Sequence, residues 1–318
     1  MNVGITSNKI LKHLDRAYGN KAPITADIFL DNYCNNKCDY CTYARWELDK
    51  EARYMKFEDF KRYADRLIEL GVLGFILTGG GEPSISKDFE KIITWLDDNE
   101  LKWGINTNFN KYFFGKPQYL KVSLDAYSEE SYMNLRGVFA YEEVRDNIIK
   151  FASEKSVKTS LGIQLLAKDI SDVSNFYNAN KSLPVDYIVI RPVESTDGKY
   201  YSKELMWRKT PDAIIKAVEM LRKNDERVVL NYKWNMLDEK FDSCTGQWSQ
   251  IALNELGEVM YCCHKPYQII GHIMDEDILE KKEKALTDMH MCDVPCRLTS
   301  VNYNLNKINE PQLNAEFI

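Results

Sequence analysis

The chain is poor in histidine, with four residues among 318. So few imidazoles leave little material for a catalytic triad or a histidine-rich metal site. No apolar run approaches the ~20 residues of a membrane-spanning helix. The polar start, Met1 to Asn8, lacks the hydrophobic core of a signal peptide. These absences predict a cytoplasmic protein with no membrane partner. No block of five or six Lys or Arg occurs and the net charge is −6, which argues against a nucleic-acid partner. The sequence has no long repeat and no low-complexity linker. It also has no cysteine between Cys41 and Cys244.

What is present is therefore concentrated. Eight cysteines fall into two groups: Cys34, Cys38 and Cys41, then Cys244, Cys262, Cys263, Cys292 and Cys296. In a reducing compartment such clusters indicate metal rather than disulfides. Two clusters so far apart suggest two metal sites in two structural units.

Between them, strand and helix patterns alternate about six times. Strands are predicted at Ile24 to Leu30, Gly74 to Thr78, Lys102 to Asn106, Tyr119 to Leu124, Val157 to Leu166 and Tyr187 to Ile190. Phe57, Phe60, Tyr63, Ala64, Leu67 and Ile68 recur at helical spacing, and Gly71 stops that helix. Thr210-Pro211 opens another. Alternation of this kind predicts an α/β fold with a parallel sheet, half-closed as a barrel whose chemistry sits at the carboxyl ends of the strands. The unusual motifs fall at such ends: the cysteine loop, Gly79-Gly80-Gly81-Glu82-Pro83, Asn106, Asp125 and Arg191.

Three thiolates spaced as Cys34-x₃-Cys38-x₂-Cys41 can hold a soft metal centre but cannot complete a four-cysteine site. A disulfide would leave one cysteine over, and a zinc site would need a fourth local ligand. The loop resembles the signature of the radical S-adenosylmethionine (SAM) superfamily, whose [4Fe–4S] cluster keeps one iron open for SAM. The resemblance implies a partial (β/α)6 TIM-like barrel. It also implies that Gly79, Gly80, Gly81 and Glu82 form the SAM motif, with backbone and Glu82 on the methionine amino group. Ser123 and Asp125 would approach the ribose and methionine part, and Arg136 the SAM carboxylate. Asn106 and Gln164 would add contacts. Tyr40 would stand close to the adenine, and Ile188 to Val193, with Arg191, would line its edge. Taken singly, each has an ordinary alternative as a strand-end hydrogen bond, a surface ion pair or core packing.

The alternation around Glu255-Leu256-Gly257-Glu258 predicts a β-hairpin that brings Cys244 and Cys262 together. This stretch is similar to the SPASM/twitch extension of radical SAM enzymes, which houses auxiliary clusters. Five cysteines suit the shorter twitch form with one second, auxiliary [4Fe–4S] cluster on Cys244, Cys262, Cys292 and Cys296. A structural Cys₄ zinc site is the alternative. Cys263 is left over: a small buried hydrophobe, a hydrogen-atom donor to a substrate radical, or itself the ligand in place of Cys262.

The expected organisation is residues 1–23 as an N-terminal extension, 24–225 as the barrel and 226–318 as the auxiliary domain. The short extension argues against a leader-peptide domain, which takes at least ~50 residues. The resemblance implies one-electron cleavage of SAM to a 5′-deoxyadenosyl radical, which takes hydrogen from a C–H of a small-molecule or peptidyl substrate. The outcome would be redox or epimerisation, with an external reductant of flavodoxin or ferredoxin type. A tRNA-modifying radical enzyme and a non-catalytic iron–sulfur or zinc protein are the rivals.

Overall fold

Strand β1 (Thr25–Phe29) is almost wholly buried although it carries Asp27. A strand covered on both faces belongs in the middle of a sheet, and β1 has parallel partners on either side. The computed structural model describes residues 9, 12–38, 40, 41, 43, 51–167, 170–192, 211–230, 241, 244–262, 266–288 and 298–309. After β1 come helix α2 (Phe57–Glu69), β2 (Gly74–Thr78), α3 (Phe89–Asp98), β3 (Trp103–Thr107), β4 (Tyr119–Ser123), α4 (Glu129–Arg136) and α5 (Tyr141–Glu154). Then follow β5 (Ser160–Ala167), α6 (Ile170–Asn180), β6 (Tyr187–Pro192), α7 (Pro211–Asn224) and β7 (Val228–Leu230). The last part holds β8 (Gln250–Leu253), β9 (Glu258–Met260), β10 (Ile269–His272), α8 (Ile278–Asp288) and α9 (Thr299–Asn309). A short helix α1 (Leu14–Ala17) precedes β1.

Among the described residues, ten strands join one open sheet in the order β10-β9-β8-β1-β2-β3-β4-β5-β6-β7. From β8 to β7 the pairs are parallel, and β8-β9-β10 are antiparallel. This is the expected α/β barrel fragment, with more strands than the six predicted. Residues beyond 225 build both edges: β7 pairs with β6, and β8 with β1.

The helices cover the sheet through the spacing visible in the sequence. In α2, Phe60, Tyr63, Ala64 and Leu67 are buried. That helix ends in a Schellman turn, with Val72 N donating to Leu67 O at 3.0 Å and Gly71 N to Ile68 O at 2.9 Å. Gly71 takes φ +97 there, a conformation that strains a side-chain residue. The core runs continuously from Ala26 and Ile28 through Phe89, Ile105, Val122, Ile148 and Ile163 to Ile190 and Val228. A smaller cluster of Ile24, Cys244, Trp248, Leu298, Val301 and Leu305 anchors α9.

Helix α4 has no apolar stripe strong enough to announce itself. Local chemistry makes it instead. Ser128 caps it by accepting from Ser131 N at 3.1 Å, Ser131 Oγ accepts from Ser128 N at 2.9 Å, and Gly137 ends it at φ +73.

Candidate active site

The loop after β1 is docked onto the loop after β2 by main-chain contacts. Gly81 N donates to Asp31 O at 2.7 Å, and Glu82 N to Tyr33 O at 2.9 Å. A Cβ on Gly81 would lie 1.7 Å from Tyr33 O, and one on Gly80 3.0 Å from Asp31 O. The bare glycine backbone thus receives the cysteine loop itself, at a separation no side chain permits.

Cys34, Cys38 and Cys41 stand on that loop as free, half-buried thiols. Hydrogen-bond donors already face the sulfurs. Asn36 N reaches Cys34 Sγ at 3.4 Å, and Arg136 Nη1 reaches Cys38 Sγ at 3.4 Å. Burial pushes the Cys34 thiol up to about 12. Burial also raises Cys38, against the pull of the Arg136 charge. A thiolate here needs a cation to exist, and a bound metal deprotonates a coordinating thiol outright. Among the described residues, no three His, Cys, Asp or Glu side chains form a group suited to a single metal ion. The donor chemistry of the loop fits a thiolate-held cluster: three free sulfurs, with amide and guanidinium donors aimed at two of them.

Asparagines brace the loop. Asn108 Nδ2 donates to Asn35 Oδ1 at 2.6 Å, and Asn110 Nδ2 to Asn36 Oδ1 at 2.6 Å. Tyr132 Oη donates to Asn110 Oδ1 at 2.7 Å, which connects α4 to the same network. Sequence reasoning took Asn106 and missed Asn108, Asn110 and Tyr132. The alternation Asn106-Thr107-Asn108-Phe109-Asn110 at a strand end was the available signal.

The charged residues expected at the ligand site are held by partners within the protein: Glu82 by neutral donors, and Arg136 and Asp125 by each other. The Glu82 carboxylate is buried and accepts from Ser84 N (3.1 Å), Ser84 Oγ (2.7 Å), Thr107 Oγ1 (2.6 Å) and Asn108 N (2.7 Å). Burial raises its pKa, and these donors oppose the rise. Arg136 forms a buried ion pair with Asp125, and its Nη2 also donates to Ser123 O at 2.6 Å. Asp125, at φ +54, further accepts from Tyr40 Oη at 3.0 Å and Leu166 N at 2.7 Å. The Arg136 guanidinium lies 5.7 Å from the Tyr40 ring centroid. Lys37 N donates to Arg136 O at 2.8 Å, and a Cβ on Gly137 would meet Lys37 at 2.9 Å, so α4 ends against the cysteine loop.

Two predicted residues keep an open acceptor. Asn106 donates to Thr78 Oγ1 at 3.2 Å, yet its Oδ1 has no hydrogen-bond partner among the described residues; the same holds for Gln164 Oε1. Arg191 lies opposite Leu166 in the β5–β6 register, and Ser123 opposite Gln164 in β4–β5. Val193 lies outside the described residues.

In the second cysteine group, β8 and β9 form the predicted hairpin with Ala252 opposite Met260, and Gly257 turns it at φ +79. Cys244 is buried and Cys262 half-buried. Their segments meet through Gln247, whose N donates to Cys244 O at 3.2 Å and whose Nε2 donates to Tyr261 O. Cys263, Cys292 and Cys296 lie outside the described residues.

Comparison with known proteins agrees with this geometry. Residues 28–177 match the model of the Radical SAM superfamily. The chain is similar to a GTP 3',8-cyclase of Psychromonas ingrahamii, 23% identical over 210 residues that cover 62% of this chain and 60% of that protein. It is also similar to a GTP 3',8-cyclase of Stenotrophomonas maltophilia, 30% identical over 83 residues, 26% of this chain and 25% of that protein. The chain thus spans less than two thirds of the length of these curated relatives. The fold resembles Streptococcus suis SuiB bound to precursor peptide SuiA, with a TM-score of 0.65 and 14% identity, covering 88% of this chain and 69% of that one. It also resembles native anSMEcpe with bound AdoMet, with a TM-score of 0.62, 16% identity and 83% of each chain covered.

Proposed function

We propose, for a chain whose residues 28–177 are a radical SAM domain, that Cys34, Cys38 and Cys41 hold a [4Fe–4S] cluster and that SAM binds beside it at the carboxyl rim of the sheet. When bound, this pair supplies one-electron cleavage of SAM to a 5′-deoxyadenosyl radical able to take hydrogen from an unactivated C–H. One observation carries the reading: three free thiols on the loop after β1, seated on the glycine run after β2, with Asn36 and Arg136 already donating to their sulfurs.

The chain's own residues divide the work. Arg136 offsets negative charge at Cys38 while Asp125 and Ser123 O fix its direction. Glu82 ties the glycine loop to the end of β3 through Thr107 and Asn108. Asn106 Oδ1 and Gln164 Oε1 are left to accept from a ligand's ammonium, hydroxyl or amino hydrogens, groups that SAM carries.

The substrate is a small molecule or a peptide, oxidised or epimerised at a C–H, with electrons from a flavodoxin- or ferredoxin-type donor. The curated relatives are named for a reaction of GTP, which favours a purine nucleotide. The fold neighbour that holds a precursor peptide keeps a peptidyl substrate in view. Cys244 and Cys262 belong to a second, auxiliary cluster, completed by Cys292 and Cys296 as the sequence implies.

Anaerobic reconstitution tests both centres. Two clusters give about eight irons per chain, and SAM with dithionite yields 5′-deoxyadenosine. About four irons removes the auxiliary centre, and absence of the adenosyl product overturns the enzymatic reading. Substrate-dependent acceleration of that product by GTP, against precursor-type peptides, separates the two substrate classes.

A further inference from the structure

The bend that follows β3 is pinned by the side chains of two successive residues. Thr107 Oγ1 accepts from Phe109 N at 2.9 Å, and Asn108 Oδ1 accepts from Asn110 N at 3.0 Å. Phe109 takes φ +59 between them, and its buried ring lies 5.3 Å from that of Phe113. Packing of the ring holds the backbone in a conformation that a bulky residue seldom adopts.

This turn settles which end of the Asn108 amide faces the cysteine loop. Its oxygen is taken by Asn110 N, so its Nδ2 is the end that points at the sulfurs. One hydrogen goes to Asn35 Oδ1 at 2.6 Å. The same nitrogen stands 3.9 Å from Cys34 Sγ, within reach of a hydrogen bond to sulfur. An amide carries two hydrogens, enough for both contacts.

The main chain of Asn108 serves another acidic group. Its N donates to Glu82 Oε2 at 2.7 Å. Asn108 and Glu82 are only 4% and 3% exposed, and the Glu82 charge works against negative charge on Cys34. Two buried groups that both carry negative charge need donors. One asparagine gives an N–H to each, and the bend around Phe109 fixes both directions.

We propose that Asn108 sets how readily the centre on Cys34, Cys38 and Cys41 accepts an electron, through its side-chain N–H to Cys34 Sγ. It is a positioning residue, and the inference rests on the first centre proposed above. When the external donor passes one electron to that centre, no bond forms or breaks and the sulfurs gain negative charge. A donor aimed at one of them favours the reduced state. Asn36 reaches Cys34 through its main chain, and removing Arg136 strands Asp125. The contact from Asn108 can be removed by a side-chain change that strands no charge.

The test uses the full chain, reconstituted anaerobically without SAM, as wild type, Cys34→Ala, Asn108→Ser, Asn108→Asp and Tyr132→Phe. The part of the reduced electron paramagnetic resonance signal that Cys34→Ala lacks reports the first centre. Serine can keep the turn through its Oγ but is too short to reach the sulfur. At a fixed redox poise its reduced-to-oxidised ratio should fall about threefold, equivalent to about 28 mV for a one-electron couple. Aspartate keeps the shape and the turn while turning an acceptor toward Cys34, and its ratio should fall about tenfold, or about 59 mV. Tyr132→Phe loosens the same loop and leaves the donor in place, so its ratio should match wild type. Wild-type ratios in the Asn108 variants overturn the role of Asn108 and leave the centre standing. An equal fall in Tyr132→Phe overturns it too, because loosening alone then accounts for the shift. A full signal in Cys34→Ala overturns the first centre itself. Should Asn108→Asp fail to fold, a wild-type ratio in Asn108→Ser is enough to overturn the role.

Discussion

Arg136 and Asp125 are locked together at the rim of the sheet, and the same guanidinium reaches Cys38 Sγ at 3.4 Å. One side chain therefore couples the end of β4 to the cysteine loop. A buried pair of this kind adds little net stability, yet removing one partner is expensive because the other charge is stranded.

The first prediction follows from that asymmetry. Arg136→Met strands Asp125 and should lower the unfolding free energy by about 3–5 kcal/mol, together with loss of iron from the first centre. Adding Asp125→Asn should recover much of the stability in urea titrations but none of the iron, because the donor to Cys38 is still missing.

Gly81→Ala tests the docking of the two loops. Its methyl group would fall 1.7 Å from Tyr33 O, a backbone atom that cannot swing aside. The cysteine loop must shift. Iron at the first centre should fall by half or more, whereas Gly115→Ala, whose Cβ would meet only side chains, should leave the iron count unchanged.

Asp31 predicts a pH dependence in the metal-free chain. Burial raises its carboxyl from 3.8 to about 6, with the Tyr33 N–H opposing and Glu255 adding to the rise. The folded chain then binds more protons at this site than the unfolded chain between about pH 4 and 6, so stability falls as pH rises through that window and is flat above it. Asn at this position still accepts from Tyr33 N and carries no charge. Urea midpoints at pH 4.5 and 7 should therefore show the Asp31→Asn variant gaining stability relative to wild type at the higher pH. An equal difference at both pH values would contradict this.

Tyr132→Phe removes only the hydroxyl that donates to Asn110 Oδ1. A loss of about 1 kcal/mol is expected, and the freed Asn110 should loosen Asn36 enough to raise the alkylation rate of the cysteine loop.

Much of this was legible in the sequence, for physical reasons. Phe60, Tyr63, Ala64 and Leu67 repeat at helical spacing because one face of α2 is buried. The placement of the cysteines, the glycine run, Asn106 and Asp125 at successive strand ends followed from periodicity alone. Other features could not be read locally. The pairing of β8 with β1 joins residues far apart in the chain. Helix α4 rests on a serine pair rather than an apolar stripe. The partners that orient Glu82 and Arg136, Thr107 and Asp125, are seen only in space. Lys282 sits in a run of charged residues, Glu280 to Lys284, that suggests an exposed helix face, and only packing reveals which lysine is inside.

The late arrival of β8 has a consequence for biogenesis. During synthesis the ribosome releases the cysteine loop and its glycine seat long before the strand that closes their flank. Until then β1 offers an unpaired edge, and such edges invite wrong partners. The cysteine loop of the nascent chain thus has an open door at one side, which the chain shuts only when its final third folds back to β1.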